Sequence, residues 1–196
     1  MSSRAAAALG LVLVALSAGL DGRLPRERSP ALAVRLLGPL AHTAARLQWV
    51  RARSAMVAGR TDLALARAAT ALELDPGDTA GWSMLAWHLA MERGSIQREP
   101  SPARRVVWLR AGLETSLRGE AVARAPGELA LERGLMLAQV AEEDAPPPWP
   151  GGVAALWDEA ARAFARAAEL GHPEGAALAE AARAQAAVLV EPPPPR

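Results

Sequence analysis

Three histidines, His42, His88 and His172, are the side chains best suited to hold a metal or move a proton. His88 and Glu92 stand at i and i+4, a spacing that puts both on one helix face, where an imidazole and a carboxylate can share a cation. Two ligands are too few for a metal centre. Glu169 and His172 have the Glu-x-x-His spacing of di-metal bundles, but such bundles use the motif twice and this chain has it once, at the end of a helical pattern. Ser83, in Gly81-Trp82-Ser83, lacks the second glycine and the preceding strand of a nucleophile elbow. Glu142, Glu143 and Asp144 offer neighbouring carboxylates, yet acid–base work needs a cleft that shifts their pKa values. Beside a Pro-rich stretch they are expected on a solvated surface. The expectation is therefore no enzyme: no catalytic residue, no metal site, no cofactor and no small-molecule substrate.

The missing residue types narrow the chemistry further, because Cys, Lys, Asn and Tyr do not occur. Without Cys there are no disulfides, thiolate metal sites or cysteine-linked lipid. Without Lys there is no Walker-type phosphate loop and no Schiff base. The 22 Arg nearly cancel the 21 acidic residues, so no strong overall field draws the chain to nucleic acid, which is not an expected partner. The balance is uneven along the chain. Up to Arg110 there are 15 Arg against 8 acidic residues, a net +7, and beyond it 7 Arg against 13, a net −6. Such asymmetry suits two surfaces meeting partners of opposite sign, or simply a solvated exterior.

Side chains able to recognise another protein are more numerous. Of six tryptophans, Trp82, Trp108 and Trp157 fall at packing positions of helical patterns. Trp87, next to His88, and Trp149, in an exposed Pro-rich loop, are the two expected to meet a partner. Guanidinium groups fork onto carboxylates and stack on aromatic rings, so Arg51, Arg98, Arg104 and Arg105 complete the expected partner-binding set. The last three flank the run Arg98-Glu-Pro-Ser-Pro-Ala-Arg-Arg105.

The elements that must position these groups begin with an apolar run, Ala5 to Leu20, closed by Asp21-Gly22-Arg23. It is slightly short for a hydrocarbon core of about 30 Å. The small residues Ala15, Ser17 and Gly19 permit a cleavable signal, whereas Arg23, Arg26 and Arg28, followed by the apolar stretch from Pro30 to Leu40, favour an uncleaved anchor. From His42 onward the pattern is helical, with Gly and Pro as punctuation. A helix of residues 47–58 leads to a turn at Gly59-Arg60-Thr61-Asp62, then a helix of residues 63–74 and a stop at Asp75-Pro76-Gly77-Asp78. Gly59 is suited to the left-handed end of the first helix and Thr61 or Asp62 to capping the second. Ala52, Ala64, Ala68 and Ala71 let the two helices approach closely, with Leu65 and Leu72 filling the space around them.

This hairpin resembles a tetratricopeptide repeat, whose period is about 34 residues. Gly59, Ala64, Ala71 and Pro76 match that pattern, and Trp82, Leu85 and Ala86 continue it into the next first helix. An insertion from Glu92 to Pro102 departs from it before a helix of about residues 103–117. A first helix after Pro126 has Gly134 as its small crossing residue, and the linker Asp144 to Gly152 follows. Ala160, Phe164 and Ala167 restore the pattern, ended by Pro173, and a final Ala-rich helix stands where such folds carry a cap.

The resemblance implies an all-α fold, a short α-solenoid of about three helix hairpins plus a capping helix, preceded by an N-terminal hydrophobic helix. Residues 1–22 are the expected membrane anchor or signal, 23–42 a juxtamembrane connector, 43–190 the repeat domain and 191–196 a Pro-rich tail. Family analogy implies a concave groove lined by first helices that holds a peptide or domain of another protein. The expected function is a membrane-tethered adaptor of the bacterial envelope, anchored by a single N-terminal pass. The alternative is a constitutive accessory subunit of a larger membrane complex.

Overall fold

The structure, a computed structural model, describes Gly38 and residues 40–190, so the anchor, most of the connector and the Pro-rich tail lie outside the described residues. Among the described residues every regular element is helical and there is no strand. The described part of the chain is all-α, as expected. Among these residues no helix is long and apolar enough to cross a membrane. Contacts divide the chain into two compact units, meeting in sequence at Pro76 and Gly77, inside the predicted stop.

The first unit is a hairpin of α1 (Leu40–Val57) and α2 (Thr61–Leu74). α1 begins within the stretch expected as connector, since the buried Ala41 and Ala45 continue its packed face. Gly59 takes a φ of +69°, and the Arg60 N–H reaches back to the Ala55 carbonyl at 2.9 Å, closing α1 through a left-handed residue. Capping by Thr61 or Asp62 does not occur. α2 starts at Thr61, with Arg60 at the cap position and no side-chain cap, while Asp62 lies in the first turn, where its charge faces the helix dipole. Ala45, Ala52 and Ala55 of α1 and Ala64, Ala68 and Ala71 of α2 are buried, so the helices meet through methyl groups. Leu72 is buried and Leu65 half-buried beside them. Arg67 donates to Gln48 Oε1 at 3.1 Å, and His42 Nδ1 meets Asp75 Oδ2 at 2.8 Å, joining the start of α1 to the end of α2.

The second unit contains α3 (Thr79–Trp87), α4 (Pro102–Glu120), α5 (Pro126–Ala141), α6 (Gly152–Glu169) and α7 (Gly175–Val190). Asp78 caps α3, its carboxylate accepting the Gly81 N–H at 3.1 Å. α3 passes directly into a π-helical turn, His88–Arg93, so the loop expected from Glu92 is shorter and spans residues 94–101. Pro102 opens α4 and Pro126 opens α5, each at a position where the missing N–H costs no helical bond. α5, α6 and α7 pack in succession, α4 packs on α3 and its π turn, and α3 also touches α5. Gly134 is the crossing residue of α5 and α6: a methyl group there would lie 2.4 Å from the Phe164 ring. Leu109, Leu129, Met136 and Leu156 are fully enclosed in the core.

A tryptophan-lined groove as candidate functional site

The second unit presents an open groove of about 660 Å³ along α3, α5 and α7, with α6 at its base. Trp87 comes from the last residue of α3. Leu135, Ala138, Gln139 and Glu142 come from one face of α5, and Leu178, Ala181, Ala182 and Gln185 from one face of α7. Their i, i+3, i+4, i+7 spacing is that of a single helix face. Trp157 and Phe164 of α6 complete the lining, with Trp157 half-buried against the core. The surface is apolar with an amide on each flank and one carboxylate, Glu142. Aromatic anchors beside adaptable polar groups can hold an apolar side chain and hydrogen-bond the backbone that carries it.

Of the residues singled out from sequence, Trp87 alone lines this groove. His88, one residue on, is 7% exposed and turns inward: Nδ1 meets Glu92 Oε2 at 2.8 Å, as the i, i+4 spacing predicts, and Nε2 is buried without a hydrogen-bond partner. Consecutive residues of a helix point to different sides, so Trp87 can line the groove while His88 faces the core. Among the described residues no group of three or more potential metal-binding side chains forms.

Arg105 was expected at the surface and is 4% exposed. Its Nε donates to the Gly94 carbonyl at 2.8 Å, one Nη to the Ala145 carbonyl at 3.0 Å, and the other pairs with Glu143. One guanidinium thus joins the start of the 94–101 loop to the linker after α5, the two irregular connections of the unit. Its planar fork suits three acceptors in three directions, a task a lysine ammonium performs less well. Glu143, expected in solvent, is correspondingly half-buried.

Trp149 was likewise expected on an exposed loop and is 9% exposed. Its ring packs on the core, Nε1 donates to Glu159 at 3.0 Å, and Arg110 lies over the ring face at 5.3 Å. An indole carries too much apolar area to stay in water when a core face and a carboxylate acceptor are both in reach. Arg104 remains 72% exposed, with Nε 3.1 Å from Glu99, and Arg98 is exposed on the loop. Arg51 is half-buried on α1, in the first unit, whereas the other six belong to the second. Trp157 packs against the core, as expected, and lines the groove as well, while the α7 face was not singled out from sequence. The spacing Leu178, Ala181, Ala182, Gln185 was the signal available.

No protein-family model, curated protein or solved structure matches the chain.

Proposed function

We propose that the protein is a helical-repeat adaptor that binds a segment of another protein in the groove of α3, α5 and α7, held at a bacterial membrane by the apolar run Ala5 to Leu20. The observation that carries this reading is the groove itself. Two helices that would be first helices of tetratricopeptide-like hairpins, α3 and α5, line one apolar surface together with the capping helix α7, with two tryptophans at its edge and base. A groove of this kind fits an amphipathic helix or an extended segment with alternating apolar anchors. The fold reading that goes with it is a short α-solenoid, in which α1–α2, α3–α4 and α5–α6 are hairpins and α7 is the cap.

The test uses the full chain in native membranes, with a photo-crosslinking residue replacing the exposed groove residue Gln139 or, as a control, the exposed Arg118 on α4. The expected result is a discrete adduct from position 139 and none from 118. Equal adducts from both positions, or none from 139, would remove the groove as the binding surface.

One observation favours a second reading, the constitutive subunit. α1 exposes Leu40, Leu47, Val50 and Val57, an apolar series on a helix whose opposite face already packs on α2. Permanent burial in a larger assembly would account for it. A subunit of that kind co-purifies in fixed ratio with its complex after detergent extraction, whereas an adaptor does so in variable amounts.

A further inference from the structure

A second cleft, of about 440 Å³, opens between α4, α5, α6 and the linker, and its chemistry differs from that of the groove. It contributes Arg133 and Leu137 from the side of α5 half a turn round from Leu135, Gln139 and Glu142. On α4 the cleft takes Arg110, Leu113, Glu114 and Leu117, and on α6 Glu159, Arg162 and Ala163, each set at helical i, i+3, i+4 spacing.

The charges in it do not cancel. Glu159 accepts from the neutral Trp149 Nε1 at 3.0 Å and keeps its charge, while Glu114 meets Arg118 at 3.4 Å, so three lining guanidinium groups stand against two lining carboxylates. Arg133, at the floor, pairs with Glu120, which Arg166 also approaches at 3.9 Å. Burial first, and then the charge of Arg166, lower the Arg133 guanidinium to about 10. Arg110 stacks on Trp149, and neither it nor Arg162 has a carboxylate partner among the described residues. Two guanidinium groups on the helices either side of the cleft, neither paired with a carboxylate, favour an anion. The remaining walls are apolar: Leu137 and Trp149 are buried, and Leu117 is 51% exposed at the cleft. A volume of this size holds a small organic molecule.

We propose that this cleft binds an oxyanion carried on an apolar stem, an alkyl carboxylate or alkyl phosphate, with the oxyanion between Arg110 and Arg162 and the stem along Leu117 and Trp149. This binding is independent of the groove and does not rest on the adaptor reading.

The test is calorimetric titration of the full chain in lipid nanodiscs with hexanoate, hexyl phosphate, hexan-1-ol and inorganic phosphate. Arg162→Gln and Arg110→Gln chains in identical nanodiscs subtract partitioning of the probes into lipid. Saturable binding of hexanoate identifies a carboxylate ligand and that of hexyl phosphate a phosphate ligand. Either is expected to weaken about tenfold or more in both variants, since each removes a charge-assisted hydrogen bond. Arg162 is exposed, so its variant keeps the fold and the comparison stays readable. The proposal is overturned if neither acid binds saturably, if hexan-1-ol or inorganic phosphate binds as tightly as the acids, or if Arg162→Gln leaves binding unchanged.

Discussion

The hairpin of residues 40–74 and the larger unit of residues 79–190 differ in how their helices are connected. The hairpin joins its two helices through small side chains, Ala45, Ala52 and Ala55 against Ala64, Ala68 and Ala71, and its connection is a short turn closed by Gly59. The larger unit sets large residues, Leu109, Met136, Leu156 and Phe164, among buried alanines such as Ala160, Ala167, Ala179 and Ala182, and carries two irregular connections with a buried arginine between them. Where helix contacts are short and regular, local sequence is sufficient. Where the chain leaves the repeat pattern, a long-range polar tie holds the departure in place.

The sharpest way to break this contrast is to remove the tie. Arg105→Ala leaves Glu143 and the Gly94 and Ala145 carbonyls without their common donor, and is expected to cost about 3–5 kcal/mol in urea unfolding of the full chain. A loss under about 1 kcal/mol would mean that the loop and linker hold their places without it. Next in size, Ala68→Leu forces an isobutyl group into a contact that leaves Ala68 no exposed surface, for an expected loss of about 1–3 kcal/mol in the hairpin. Hydrogen exchange on α1 and α2 should report it first; unchanged protection there would show that methyl contact is not what joins the helices. Asp78→Ala removes the cap of α3, with an expected cost of about 1 kcal/mol by thermal unfolding. Arg118→Ala, which breaks a pair exposed on both sides, should fall within about 0.5 kcal/mol of the parent and so sets the baseline for surface charge.

Periodicity and punctuation made the hairpin legible: Gly59, the alanine face and the stop at Asp75-Pro76 stand in the sequence as local signals. α5, α6 and α7 were legible for the same reason, Gly134 included. The π turn at His88–Arg93 was not, because an i→i+5 bond pattern has no side-chain signature and is selected by packing of α4 against Ala86 and Ala90. Arg105 was misplaced because its partners lie 11, 38 and 40 residues away and two of the three are backbone carbonyls. Trp149 was misplaced because its Pro-rich neighbours describe the local chain and not the core face that the linker crosses. Trp87 is the one residue of the expected partner-binding set that lines the groove. The α7 face follows from its spacing once α7 is no longer treated as a passive cap.

The central claim is that the groove of α3, α5 and α7 receives the partner. Ala181 is exposed on the α7 wall, so Ala181→Glu places a charge in the groove without disturbing the core. The measurement is the amount of partner co-purifying with the full chain from native membranes, alongside the unfolding midpoint of the same preparation. The account predicts at least a tenfold loss of partner in Ala181→Glu at an unchanged midpoint, and full retention in a chain with Arg98→Ala on the exposed loop and Arg104→Ala in the exposed first turn of α4. Retention by Ala181→Glu and loss in the double variant would contradict it.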